Sequence, residues 1–204
     1  FFCAGADIEE FQRCIDEGRI GPLVENLTSI LHPLQVRMRT DPTVLVAAMN
    51  GAAAGGGLGL ALACDARIAA PEAKLAAAFF KLGLSPDGGT TWLLPRLVGN
   101  QVTRRFFFND EVWNGTEAHE KGAVDEVVAM DDLIDTAVQM AAKWGKWSQL
   151  SRSGTKQLLD ASTSTFFQTQ LEFEQALIIA ASQTKEFEEG VAAFLEKRDP
   201  DFGS

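Results

Sequence analysis

The spacing of apolar and polar positions differs between the two parts of the 204-residue chain. In the first part, short apolar runs stand between segments of helical period, a pattern typical of strands connected by helices. The clearest run, 44–49, contains no polar residue, as expected for a strand buried on both faces. In the second part only the helical period continues. The pattern therefore predicts an α/β core with parallel strands over 1–130 and a helical region over 131–204.

The same pattern predicts the individual elements. Strands are expected over 1–4, 44–49, 67–70 and 123–128. Helices are expected over 8–17, 21–40, 90–98, 101–109, 116–121, 131–144, 149–161, 165–183 and 185–197. Pro33 should bend or interrupt the second helix.

Apolar stripes predict which helical faces are buried. The inward positions are expected to be Ile8, Phe11 and Ile15 in the first helix and Leu23, Leu27, Ile30, Leu31 and Leu34 in the second. Near the C-terminus a further stripe consists of Leu171, Phe173, Ala176, Leu177, Ile178 and Ile179. This last stripe needs a covering surface, which is either the chain's own core, the commoner case, or another subunit.

The charge of the chain narrows its partners. A formal net charge of −10 and a pI near 4.7 disfavour nucleic acid, since phosphate binding needs a concentrated basic surface. No apolar run has the length of a membrane span, and the chain does not start with the pattern of a signal peptide. Neither a membrane nor a nucleic-acid partner is expected.

Cysteine usage and the first residues add two expectations. The three cysteines, Cys3, Cys14 and Cys64, have neither an even count nor CxxC spacing, so a disulfide framework and a zinc site are disfavoured. A reducing compartment fits best, either the cytoplasm or an organellar matrix. Residues 1–4 begin inside an apolar strand without a methionine, which predicts that earlier strands are missing from this sequence.

A run of small residues, Asn50 to Gly57, connects the predicted strand to a short helical segment. Consecutive glycines at such a junction expose peptide N–H groups at the positive end of a helix, where an anion binds well. The anion is either a phosphate or the oxygen of a reacting carbonyl. No Gly-Lys-Ser/Thr follows, and a dinucleotide fingerprint is matched only in fragments, so nucleotides are disfavoured. Tight packing of a helix on a sheet is the alternative explanation.

Five motifs, in the same order along the chain, resemble those of the crotonase superfamily, the enoyl-CoA hydratases and isomerases. They are residues 2–7 (Phe-Cys-Ala-Gly-Ala-Asp), 50–57, 64–69, 83–89 and 187–198. The resemblance implies a spiral of ββα turns, a C-terminal helical oligomerisation region, and assembly as a homotrimer or a dimer of trimers. It also implies a coenzyme A thioester as the substrate, with no metal or redox cofactor.

The resemblance also implies roles for single residues. The backbone N–H groups of Ala6 and Gly56 would form an oxyanion hole for the thioester oxygen, which gains negative charge when a neighbouring proton is removed. Residues expected to contact the substrate are Ala4, Gly5, Gly55, Gly57, Phe79, Trp92 and Lys197. Lys197 would meet the phosphates of coenzyme A, and a solvated C-terminal cation is the alternative. For Phe79 and Trp92 the alternative is a buried core aromatic.

Two positions depart from the pattern of the family's hydratases, which carry one glutamate after the glycine run and a second further on. The matching residues here are Gly59 and Phe79, neither of which can titrate. Simple hydration is therefore disfavoured, because a general acid and a general base are each worth about 10²–10⁴ in rate. Asp87 matches the single acidic residue of the enoyl-CoA isomerases and of the ring-epoxide isomerases of phenylacetyl-CoA breakdown. One carboxylate suffices to move a proton between carbons.

Each of these acidic and basic residues also has an ordinary explanation. Pro-Asp-Gly-Gly is a common turn sequence, in which Asp87 would stabilise the turn or cap the next helix. His32 and His119 lie in predicted helices and are interpreted as surface residues. The sequence thus predicts an acyl-CoA isomerase that uses Asp87 as its proton shuttle. A hydratase with a different acid and base, and a non-catalytic acyl-CoA-binding relative, are the alternatives.

Overall fold

A computed structural model describes residues 1–203, which form two compact units. The first unit consists of Phe1–Met38 and Leu45–Gln139, and the second consists of Arg39–Val44 and the residues from Met140 onward. The strands are β1 (Val46–Met49), β2 (Ala52–Ala54), β3 (Ala66–Ala69), β4 (Lys74–Ala76), β5 (Val112–Asn114) and β6 (Glu126–Val127). The helices are α1 (Ile8–Asp16), α2 (Ile20–Thr40), α3 (Gly56–Ala63), α4 (Thr90–Val98), α5 (Asn100–Phe108), α6 (Gly115–Glu120), α7 (Leu133–Gly145), α8 (Gln149–Ser162), α9 (Phe167–Ala181) and α10 (Lys185–Glu196).

The strands of the first unit belong to two small sheets, and from β1 to β4 consecutive strands alternate between them. One sheet has the order β1-β3-β6 with parallel pairs, and the other has the order β2-β4-β5. A helix follows each pair of strands: α3 after β1 and β2, and α4 after β3 and β4. The result is a sequence of ββα turns. Cys3 pairs with Ala53 in an isolated parallel bridge, which joins the start of the chain to β2.

The sequence pattern located β1, β3 and β6 but missed the strands of the second sheet. β2, β4 and β5 are three residues long each, too short to show an apolar alternation of their own. The expectation of parallel pairing is confirmed for β1, β3 and β6 and for β2 with β4. It is wrong for β4 with β5, which run antiparallel.

Helix α3 lies at the centre of the first unit. It is apolar on every side, and Leu58, Ala61, Leu62 and Ala63 are at most 1% exposed, as expected for a helix covered all round. The core continues into α5 and β5, where the rings of Phe106 and Trp113 lie 4.4 Å apart. Helix α3 begins within the glycine run, so the run lies at the edge of this core.

A buried arginine joins β3 to the loop before β6. The side chain of Arg67 is 5% exposed. Its guanidinium donates to the carbonyl oxygens of Ala123 and Cys64, both at 2.9 Å, and to the carboxylate of Asp125 at 3.0 Å. The Asp125 carboxylate also accepts the backbone N–H of Arg67. The buried charge is therefore satisfied by three acceptors, as a charge inside a protein must be.

The predicted inward faces of the first two helices are only partly confirmed, since Phe11, Leu23 and Leu31 are partly buried. In α1 the buried residue is Cys14, whereas Ile8 and Ile15 are about half exposed. In α2 the buried residue is Gln35, and much of the predicted apolar face is exposed, as Leu27, Ile30 and Leu34 show. Pro33 does not interrupt α2. An apolar stripe identifies a face that needs a cover, but it does not ensure that the same chain supplies one.

The second unit consists largely of the helices α8, α9 and α10. Arg39 forms a two-bond ion pair with Asp160, and the ammonium of Lys156 donates to the carbonyl oxygens of Asp41 and Thr43. No residue of α9 is buried, and the C-terminal apolar stripe is exposed at Leu171, Phe173, Ile178 and Ile179. The second unit by itself therefore leaves most of this stripe uncovered.

We expect the replacement Arg67→Met to lower the free energy of unfolding by about 1–3 kcal/mol, because it leaves buried carbonyl oxygens without donors. Chemical denaturation with urea measures the change. Arg13→Met is the matched control, since the Arg13 side chain is 63% exposed and pairs with Glu10 at the surface. Surface ion pairs contribute at most about 1 kcal/mol. Equal losses in the two variants would contradict the role of Arg67.

Glu189 should make the stability of the second unit depend on pH in the acidic range. Hydrogen bonds from Arg198, and then from the backbone N–H of Asp201, lower the pKa of Glu189 to about 2. This pKa lies below that of a glutamate in the unfolded chain, about 4.3. The ionised Glu189 therefore contributes its full stabilisation above the pKa of the unfolded chain, and this stabilisation is lost as the pH falls through the pKa of the folded protein. Glu189→Gln should therefore lower Tm at neutral pH, and the difference should shrink in acid. Glu188→Gln, on the same helix, is the control and should lower Tm less than Glu189→Gln at neutral pH.

Candidate functional site

The glycine run forms the junction between β2 and α3. Gly55 has φ 54° and ψ −127°, a conformation open mainly to glycine, and α3 begins at Gly56. Within residues 1–203, the N–H groups of Gly56 and Gly57 donate no hydrogen bond. They are the unpaired donors at the positive end of a helix. The junction therefore offers free N–H groups to a ligand.

The segment before α1 lies directly against this junction. A Cβ on Gly57 would lie 2.1 Å from the carbonyl oxygen of Cys3, and a Cβ on Gly5 would lie 2.8 Å from that of Ala54 and 3.5 Å from the amide nitrogen of Gly56. Only glycine permits both contacts. The N–H of Ala6 likewise has no acceptor in the described part of the chain. The structure thus brings the predicted oxyanion-hole residues, Ala6 and Gly56, into one neighbourhood.

Asp7 and Asp65 have structural roles. The carboxylate of Asp7 caps α1 by accepting the N–H groups of Glu9 and Glu10, and that of Asp65 accepts the N–H of Leu45. The first contact is a helix cap, and the second joins residues that are 20 positions apart. Neither carboxylate is needed to explain the chemistry of the junction.

Asp87 lies on a turn that packs beside the glycine junction. A Cβ on Gly88, the next residue, would lie 3.5 Å from Cα of Gly56. The carbonyl oxygen of Asp87 accepts the N–H and the hydroxyl of Thr90, which closes the turn. Its carboxylate does not cap α4, since Gly89 occupies the N-cap position without a side-chain bond. The side chain of Asp87 is therefore not required for the helix that follows it.

The carboxylate of Asp87 is paired with His32. Oδ1 of Asp87 lies 2.7 Å from Nε2 of His32, and the two side chains are 40% and 50% exposed. Oδ2 has no hydrogen-bond partner among residues 1–203. The interpretation of His32 as a plain surface residue missed this contact. His119 instead bonds through Nδ1 to the carbonyl oxygen of Val124.

Gly59 faces the same turn and leaves no room for a side chain. A Cβ at this position would lie 2.1 Å from the carbonyl oxygen of Gly88 and 2.8 Å from Nε2 of Gln35. Gln35 is 8% exposed, and its amide donates to that same carbonyl oxygen at 2.8 Å. Sequence reasoning did not single out Gln35. Its signal was a polar residue three positions after His32 in an otherwise apolar segment of α2.

The remaining predicted substrate contacts divide into three groups. Ala4, Gly5, Gly55 and Gly57 belong to the segments that form the junction. Phe79 is 6% exposed and belongs to the core, as the alternative explanation had it, so its ring does not line an open surface. Trp92 is 39% exposed, and the guanidinium of Arg96 lies 3.4 Å from its ring centroid. Lys197 is an exposed residue of the second unit that ends α10 in the left-handed conformation.

Two further observations concern ligands and membranes. Residues 1–203 contain no cluster of three or more His, Cys, Asp or Glu side chains arranged to hold a metal ion. Within the same range, no helix is both long and apolar enough to cross a membrane.

The sequence matches one family along its whole length. The model of the enoyl-CoA hydratase/isomerase family covers residues 1–204. A 1,2-epoxyphenylacetyl-CoA isomerase of Escherichia coli is 37% identical over 202 residues, which are 98% of this chain and 76% of the relative. A mitochondrial methylglutaconyl-CoA hydratase of Mus musculus is 32% identical over 203 residues, 98% of this chain and 63% of the relative.

Solved structures agree with the sequence relatives. An enoyl-CoA hydratase from Polaromonas sp. JS666 is similar with a TM-score of 0.88 and 32% identity, over 98% of this chain and 77% of that one. An enoyl-CoA hydratase from Bacillus anthracis is similar with a TM-score of 0.88 and 32% identity, over 98% of this chain and 76% of that one. The expected fold, a crotonase-type α/β core with a C-terminal helical region, is thereby confirmed. The chain belongs to the enoyl-CoA hydratase/isomerase family.

Proposed function

We propose that this protein is an acyl-CoA isomerase that shifts a double bond, or rearranges an epoxide, through a thioester enolate. The proposal depends mainly on one observation. Asp87 lies on the turn beside the glycine junction, while the two positions that carry the hydratase glutamates hold Gly59 and the buried Phe79. A single carboxylate matches a reaction that removes a proton and returns it, without activation of water.

In the proposed mechanism the thioester oxygen binds the N–H groups of Ala6 and Gly56. The Asp87 carboxylate removes a proton from the carbon next to the thioester, and the negative charge moves to the thioester oxygen. Each N–H donor aimed at such an oxygen is worth about 2.7–4 kcal/mol of barrier. The protonated Asp87 then returns the proton two carbons away, which moves the double bond and restores the carboxylate.

Similarity to the Escherichia coli relative supports an isomerase, and its name supports a ring-epoxide substrate as one member of the substrate class. The exposed, apolar side of Trp92 is a further candidate contact for the acyl group. We extend the proposal to a coenzyme A thioester as the substrate, with Lys197 as a contact for its phosphates. The family's trimeric assembly is proposed as well, because the second unit by itself leaves the apolar stripe of α9 exposed.

A hydratase is the second candidate, and one specific contact favours it. His32 gives Asp87 a second titratable group at 2.7 Å, so an acid and a base are both present although the family's glutamates are not. The methylglutaconyl-CoA hydratase relative supports the same alternative. The isomerase remains favoured because the pair shares one hydrogen bond, whereas hydration needs two groups that act at separate positions of the substrate.

The relative rates on two substrates should separate these candidates. We expect a 3-enoyl-CoA to be isomerised, and a 2-enoyl-CoA of the same chain length to be hydrated at least about 100-fold more slowly. This factor is the lower limit of the rate that a general acid or base contributes. Product analysis after purification of the full chain gives both rates. Hydration as fast as isomerisation would contradict the proposal.

Asp87→Asn should lower the isomerisation rate by about 10²–10⁴, because an amide cannot accept the proton. Asp135→Asn, an exposed replacement of the same kind in α7, is the control and should keep the wild-type rate. Exchange of the substrate's α-proton with deuterated water is measured in parallel. A wild type without Asp87-dependent exchange that still binds acyl-CoA would instead be a non-catalytic binding protein.

Restoring a glutamate at Gly59 should not create a hydratase. The new Cβ would collide with the backbone of Gly88, so the turn that carries Asp87 must move. We expect Gly59→Glu to lose isomerase activity and to be destabilised by about 1–3 kcal/mol, the cost of overpacking. Gly59→Ala should show most of the same destabilisation, since the collision involves Cβ. Rapid hydration by Gly59→Glu would refute the explanation from packing.

A further inference from the structure

Two side chains on one face of α2 contact consecutive residues of the Asp87 turn. His32 and Gln35 are three positions apart, which places them one above the other on a helix. Nε2 of His32 lies 2.7 Å from Oδ1 of Asp87, and Nε2 of Gln35 donates to the carbonyl oxygen of Gly88 at 2.8 Å. One helix therefore contacts both the side chain and the backbone of the turn.

The Gln35 contact fixes the backbone of the turn. Gln35 and Gly88 are both buried, so separating them would leave a donor and an acceptor without partners in the interior. Gly88 and Gly89 have φ of 62° and 69°, and the turn is closed by Thr90. The position of the Asp87 backbone beside the glycine junction is therefore determined by packing and hydrogen bonds.

The His32 contact fixes the side chain of Asp87 on that backbone. Asp87 is partly exposed, and its carboxylate makes no other hydrogen bond within residues 1–203. Without His32, its side-chain torsions would be restrained only by sterics and solvent. With His32 bound to Oδ1, the carboxylate has one orientation, and Oδ2 remains unpaired for a proton.

We propose that His32 is a positioning residue, which holds Oδ1 of Asp87 so that Oδ2 faces the reacting carbon. The inference rests on the proposed function, in which Asp87 moves the proton. Proton transfer needs the carboxylate oxygen within hydrogen-bond reach of the carbon-bound proton. A carboxylate that rotates freely meets this condition only part of the time, and misplacement of this kind reduces the rate of the chemical step and not the binding of substrate.

The pairing itself can be measured without substrate by NMR of the imidazole groups. The chain has two histidines, so the loss of one set of signals in His32→Gln assigns both. Asp87→Ala should shift the ring nitrogen signals of His32 and leave those of His119 unchanged, because His119 bonds to the carbonyl oxygen of Val124. Unchanged His32 signals in Asp87→Ala would overturn the proposal.

The consequence for the reaction is tested by kinetics on the full chain. His32→Leu should lower kcat at least about tenfold, with KM and Tm near the wild-type values. His32→Gln should recover most of the rate, because its amide N–H can donate to the same oxygen. Asn26→Leu, an exposed polar-to-leucine replacement on the same helix, is the control and should leave kcat unchanged.

The outcomes separate this inference from the function on which it rests. If the wild type shows Asp87-dependent turnover but His32→Leu keeps full kcat, the positioning role is wrong and the proposed function stands. If His32→Gln is as slow as His32→Leu, donation to Asp87 is not what His32 contributes, and the role is again wrong. If the wild type shows neither turnover nor Asp87-dependent exchange of the α-proton, both proposals fail together.

Discussion

At Gly57 and Gly59 the backbone of neighbouring segments approaches so closely that no side chain fits. The first contact holds the strand end at Cys3 against the start of α3, and the second holds the Asp87 turn against its side. Both contacts depend on α3 being buried in a core that cannot yield without loss of packing. The segments that carry the free N–H groups and Asp87 are therefore neighbours, because a buried helix has glycine where the two segments cross it.

The same packing bears on the chemistry. The space that a glutamate would need at Gly59 is filled by the carbonyl oxygen of Gly88 and the amide of Gln35. The turn that fills this space carries Asp87. The exclusion of a glutamate at position 59 and the placement of Asp87 are thus two consequences of one arrangement of the backbone. This coupling is the physical basis for favouring proton transfer within the substrate over addition of water.

The elements were predictable where their pattern was long. The apolar run 44–49 and the helical periods after 131 appear in the structure as β1 and α7 to α10, and no boundary differs by more than two residues. The three-residue strands of the second sheet were not predictable, because a strand this short is defined by its partners. The inward faces of α1 and α2 were only partly predictable for a related reason, because the apolar content of a helix does not say which surface covers it.

Sequence by itself determined the family, the glycine junction, the missing glutamates and the position of Asp87, since each is a matter of residue type and order along the chain. Only the tertiary structure decided that His32 and Gln35 contact the Asp87 turn, and that Phe79 belongs to the core. His32 and Asp87 are 55 positions apart, and their contact exists because α2 and the turn pack on the same buried helix region. Local pattern records which groups a chain has, whereas long-range packing decides which of them meet.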